Sequence, residues 1–209
     1  MNEKRQKFER NLKYLHFASR TAKEHYKIWQ VYEKKDNLRN YKKCLDNYSR
    51  FFEPSRYAHF VAMLMAVGTI IDQDGLGRYT LSEKSKKENY GKFIKLIEDN
   101  QFVGLGVIKE VKKVLNEISP LTEKMFFVRS KHFAHIELGI EDVLSKTNLK
   151  QEDCNDVIEI TTSLINKISS ASGQGLVGFD LYGGRDLYRL LENTEEKMDS
   201  FQKSIIQKN

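Results

Sequence analysis

The sequence predicts an all-α protein: a helical bundle with a long basic helix at the N-terminus and a glycine-rich loop before the C-terminal helix. Only 2 Pro and 12 Gly occur in 209 residues, and they cluster, so most of the chain is free of helix breakers. Apolar residues recur at steps of three and four rather than two. Hydrophobic residues make up 40% and charged residues 31%, which excludes a disordered or fibrous chain. The length suits one domain, residues 1–209, able to bury a core without staples.

The first helix is read from Phe8, Leu12, Leu15, Ala22, Tyr26 and Trp29, with Ser19 filling the one gap in the seam. It should run from about Glu3 to Lys34, where Lys35, Asp36 and Asn37 supply a turn and a cap. A second helix carries Leu38, Tyr41, Leu45, Tyr48 and Phe52 as far as Pro54, where a kink or a fresh start is expected. The nearly all-apolar run Tyr57 to Ile71 reads as the central helix of the bundle. Asp72 to Thr80 is a glycine-bearing loop and Lys84 to Lys92 a solvated continuation into a short helix around Phe93 to Ile97. A helix over about Val107 to Ile118 comes next. Another then opens at Pro120, well placed in a first turn, and carries Leu121, Met125, Val128, Phe133 and Ile136. A further helix covers about Gln151 to Ser169. The connector ASGQGLVGFDLYGG leads to a last helix near Asp186 to Ile206.

The start of the chain, charged from Met1 to Arg10 with no apolar stretch behind it, does not read as a signal peptide. The longest apolar run is shorter than the roughly 20 residues of a bilayer span, so no membrane partner is expected. Cys44 and Cys154 are too few for a disulfide framework and read as buried reduced thiols of a cytoplasmic protein. The net charge of +6 is unevenly placed: Met1 to Arg56 holds 15 Lys and Arg against 7 Asp and Glu, and the remainder is slightly acidic. A phosphate-facing surface would show this asymmetry, as would a solvated helix face. Lys13, Arg20, Lys23 and Lys27 recur at seven, three and four and form the candidate RNA-binding stripe.

Gly173 to Gly178 (GQGLVG) fits G-x-G-x-x-G by letter, but it follows a helical segment with no strand to feed it, so a loop is expected rather than a dinucleotide site. Asp72, Asp74 and Gly75 open like a calcium loop but lack its later ligands. The cluster Arg129-Ser-Lys-His132-Phe-Ala-His135-Ile-Glu137 allows three readings. It is a polar helix face; or His132 and His135 bind a metal with Glu137 or Glu141 nearby; or Arg129 and His135 act on a phosphodiester without metal. In the last, an imidazole takes the proton of a ribose 2′-hydroxyl while the guanidinium offsets charge developing on phosphorus.

This stretch, RSKHFAH with five residues between Arg129 and His135, resembles the signature of the HEPN superfamily. The upstream Ile70-Ile71-Asp72, the Gly-Arg-Tyr-Thr-Leu-Ser loop and the short helix after it resemble its abortive-infection, AbiU-like branch. The similarity covers about Phe52 to Ile140. It implies a metal-independent ribonuclease that needs no cofactor, usually a homodimer with its Arg/His pairs across a shared cleft, and often a toxin or antiviral effector with an antitoxin protein as partner. Arg129 would bind phosphate, His135 would be the acid/base, and His132, one turn from both, would donate to phosphate or line the cleft. The alternative is a non-catalytic RNA-binding or interaction module on the same bundle. Members modified by a partner nucleotidyltransferase tend to carry Tyr two positions after the His, where this chain has Glu137. On a helix, positions 129 and 135 stand roughly 120° apart, which favours sites that work across a dimer.

Overall fold

In the computed structural model, which describes residues 3–71, 90–134, 147–175 and 182–206, every regular element among the described residues is an α-helix. They are α1 (Glu3–Glu33), α2 (Lys35–Asn40), α3 (Lys42–Asn47), α4 (Ser49–Ile71), α5 (Tyr90–Asn100), α6 (Leu105–Glu117), α7 (Ser119–Ala134), α8 (Gln151–Ala171) and α9 (Gly183–Ile206). The all-α expectation holds. Among the described residues no helix is long and apolar enough to cross a membrane. The loop expected at Asp72 to Thr80 lies outside the described residues.

By packing, the chain divides into two compact units, one of residues 1–22 and 64–179, the other of residues 23–63 and 180–209. In the first, Phe8 at the start of α1 is fully buried, stacked on Phe93 of α5 at 5.4 Å and tilted against Phe102 at 5.0 Å. The polar gap in the seam is filled by pairing rather than by burial alone. Thr162 donates its hydroxyl proton to the Ile158 carbonyl, so Ser19 must donate to Thr162 Oγ1, 2.6 Å away. His16, also buried, hydrogen-bonds Ser169 Oγ at 2.7 Å. Helices α6, α7 and α8 pack on one another in this unit. Cys154 on α8 is a free thiol, and burial, then Asp153 and Glu152, push its pKa up to about 12.

The end of α8 explains the glycine pattern. Gly173 takes a φ of +76°, Gln174 N–H donates to the Ser169 carbonyl at 2.8 Å and Gly173 N–H to that of Ser170 at 3.1 Å. This is the paired bond set of a Schellman terminator, so the first glycine of GQGLVG serves as a helix stop. The second half of that sequence lies outside the described residues.

In the second unit, Val31 and Tyr32 of α1, Cys44 of α3, Phe52 of α4 and Leu191 of α9 form the core. Of the turn and cap expected at Lys35 to Asn37 only the cap is found, because these residues are helical, in α2: the Asn37 side-chain amide donates to the Val31 carbonyl at 2.7 Å, closing an open end of α1, and to Tyr188 Oη at 2.9 Å. Two further expectations fail here. The segment from Leu38 to Phe52 is not one helix but α2, α3 and the start of α4, and no break falls at Pro54, which lies inside α4. Residues 49–51 and 53–54 are all exposed, so the carbonyl that a proline N–H would have bonded can turn to water near the helix end. The last two glycines of the connector are helical as well. A Cβ on Gly183 would stand 2.5 Å from Glu24 Oε1, and one on Gly184 3.2 Å from the Lys27 carbonyl, so two glycines let α9 begin this close to α1 without moving the Glu24 side chain or the backbone at Lys27.

Burial holds His16 below the ordinary histidine pKa of 6.5. The folded chain therefore keeps it neutral where the unfolded chain takes a proton, and this contribution to stability is intact above pH 6.5 and lost as pH falls below it. The thermal midpoint of the parent should drop further between about pH 7.5 and 5.5 than that of His16→Gln, which removes the titrating group while keeping a donor for Ser169. Equal drops in both proteins would assign the pH dependence elsewhere.

Candidate functional site

Helix α7 begins as its sequence requires, with Ser119 and Pro120 in the first turn and Thr122 Oγ1 donating to the Ser119 carbonyl at 2.9 Å. Met125 and Val128 bury one side of it. Arg129 follows at the margin of that side, half-buried. Its guanidinium carbon lies 4.8 Å from the ring centroid of Phe126, one turn earlier on the same helix. It also lies against α4 at a position that only glycine can offer: a Cβ on Gly68 would stand 2.0 Å from Arg129 Nη1 and 3.1 Å from its Cζ. The arginine is thus seated in a notch in the apolar helix, with a ring beneath it. Cation and ring attract by about 0.5–2 kcal/mol depending on desolvation. Among the described residues, no carboxylate forms an ion pair with Arg129.

The other motif residues are placed less fully. His132 is on the last turn of α7, with its side chain outside the description, and His135 and Glu137 lie outside the described residues. Of the basic quartet on α1, Lys13 and Arg20 are exposed in the first unit. Lys23 and Lys27 are half-buried in the second, where Lys27 Nζ stands 5.8 Å from the centroid of the Tyr26 ring. Among the described residues, no group of three or more His, Cys, Asp or Glu is placed to hold a metal ion.

Two features escaped the sequence reading. Gly68 is one; an isolated glycine inside an apolar helix, where it costs about 1 kcal/mol against alanine, is the signal that could have found it. The other lies in the second unit, where His25 Nδ1 and His59 Nδ1 approach to 2.8 Å. Such a bond needs one nitrogen protonated and its partner not. Burial lowers both pKa values, a tendency that Glu24 opposes.

The AbiU2 family model (HEPN_AbiU2) matches residues 5–198. The chain belongs to this HEPN family. No curated protein and no solved structure matches it. The match runs well beyond the segment from Phe52 to Ile140 that carried the resemblance, so α1 and most of α9 belong to the AbiU2 domain as well. It is a HEPN-type abortive-infection module.

The notch gives a direct test. In Gly68→Ala the new methyl meets the far end of a flexible side chain, so Arg129 should move rather than α4. The thermal midpoint should hold or rise, since alanine favours a helix by about 1 kcal/mol over glycine. The NMR signal of the Arg129 side-chain N–H should lose the ring-current shift imposed by Phe126. A sharp loss of stability with an unmoved arginine signal would show that the notch does not position it.

Proposed function

We propose that this AbiU2 domain is a metal-independent endoribonuclease acting in the cytoplasm as a toxin or antiviral effector. The observation that carries the reading is Arg129, held in the Gly68 notch with no ion-pair partner among the described residues and six positions before a histidine. His135 takes the proton of a ribose 2′-hydroxyl, and the 2′-oxygen attacks phosphorus. The Arg129 guanidinium, a planar donor suited to phosphate oxygens, offsets the negative charge that gathers there. The bond to the 5′-oxygen breaks, that oxygen takes a proton from a second imidazole, and a 2′,3′-cyclic phosphate is left. His132, three positions from each of the other two, is the candidate for the second imidazole.

Six positions at helical spacing correspond to an offset of roughly 120° between Arg129 and His135, a sequence expectation that favours a cleft shared by two copies and makes a homodimer part of the proposal. The Lys13, Arg20, Lys23 and Lys27 cations would hold RNA through its phosphates without reading sequence. An antitoxin protein would be the restraining partner. The exposed cations of α1 also suit a non-catalytic RNA-binding module, and the cleavage assay separates the two.

RNA cleavage should persist in EDTA and fall by roughly 100- to 10,000-fold in His135→Ala, the range expected for a lost general base. Chelator-sensitive cleavage, or a His135→Ala chain as active as the parent, would contradict the mechanism. Light scattering should give about twice the chain mass of 24.5 kDa. A strict monomer at micromolar concentration would contradict the shared cleft.

A further inference from the structure

The outward face of α1 between Arg10 and Arg20 departs from a solubilising helix surface. Phe17 is 68% exposed and Tyr14 is 39% exposed. Arg10, Lys13 and Arg20 are exposed around them. At 100° per residue these five fall within about 120° of the helix circumference, spread over about 15 Å of its length. Phe8, Leu12, Leu15 and Ala18 bury the other side, so the rings have no place in the core. From Arg10 to Lys23 the sequence holds four cations and no Asp or Glu. Glu9, just before this stretch, is engaged by Arg5 at 3.0 Å.

We infer that this face is a stacking platform for single-stranded nucleic acid, with Phe17 and Tyr14 receiving bases and Arg10, Lys13 and Arg20 holding the phosphates between them. Exposed rings among cations offer each nucleotide both of its needs, a π-face for the base and a positive charge for the phosphate. Charge complementarity selects this occupant. A second copy docked through the same face would set its cations against their own equivalents, with no carboxylate on the face to relieve them. A duplex hides its bases in its own stack and offers the rings nothing. The platform rests on the nucleic-acid reading given above but not on its chemistry, since it requires binding alone.

The test uses the full chain carrying His135→Ala, so that the probe survives, with a fluorescent 12-nucleotide single-stranded RNA and the duplex it forms with its complement. Adding Phe17→Ala should weaken single-strand binding by about five- to a hundredfold, while Phe17→Tyr retains it and duplex binding changes little. Phe17→Ala should leave the slope of log affinity against log salt unchanged, whereas Lys13→Gln and Arg20→Gln should each lower it by roughly 0.7. Both rings are exposed, so folding should survive these changes. Absence of single-strand binding by the parent chain, unaltered affinity in Phe17→Ala, or equal losses for single strand and duplex would overturn the platform. So would a change in oligomeric mass with affinity unchanged, which would give the face to a second copy. If these binding results hold while the parent fails to cleave RNA, the catalytic proposal falls alone.

Discussion

Burial of one seam along α1 constrains each unit of the chain. In the first, Phe8, Leu12, Leu15, Ala18 and Ala22 are removed from water, and the stacked contact of Phe8 on Phe93 brings α5 to the same helix. In the second, Tyr26 and Trp29 continue the seam, with Trp29 packed on Phe60 of α4 at 4.9 Å, and Val31 and Tyr32 at the end of the helix enter the core of that unit. Fully burying one large apolar side chain contributes about 1.5–3 kcal/mol, so a seam of this length outweighs any surface ion pair on the helix. The same burial dictates what α1 shows outward. With its apolar residues committed, the remaining face carries the cations and the two rings that nothing in the core uses.

Steric exclusion does for Arg129 what burial does for α1. A guanidinium on a long stem would ordinarily sample many rotamers, and ordering it costs up to about 2 kcal/mol of entropy. The Phe126 ring on one side and the close backbone of Gly68 on the other reduce that freedom, and the residue as a whole stays half-buried. An arginine held this way has its ordering cost met before a phosphate arrives, the condition under which a donor stabilises developing charge most strongly.

Much of the fold was legible because it rests on local periodicity. The seam from Phe8 to Trp29 fixed the first helix to within a residue, and Pro120 marked the start of α7. The failures came where context overrides local preference. Pro54 looked like a break, yet an exposed helix end tolerates its missing donor. Gly183 and Gly184 looked like a connector because their composition says loop, whereas they form the first turn of α9, where the lack of a side chain lets the backbone approach Glu24, Lys27 and Ile28 closely. Of the candidate site, Arg129 could be read from its spacing to His135. Its seat could not, because Gly68 is 61 positions away in sequence and only packing brings the two together. The 34-residue separation of His25 and His59 hid that pair for the same reason.

The central claim is that Arg129 and His135 direct attack by the ribose 2′-hydroxyl on its own phosphodiester. The ends left on a cleaved RNA report this chemistry without reference to any mutant. The account predicts a 2′,3′-cyclic phosphate on one fragment, a 5′-hydroxyl on the other, and no cut where a single 2′-deoxy nucleotide replaces the one preceding the scissile phosphate. A 3′-hydroxyl facing a 5′-phosphate, with cleavage indifferent to the 2′-deoxy substitution, would mean that water and not the ribose attacks phosphorus, and would contradict it.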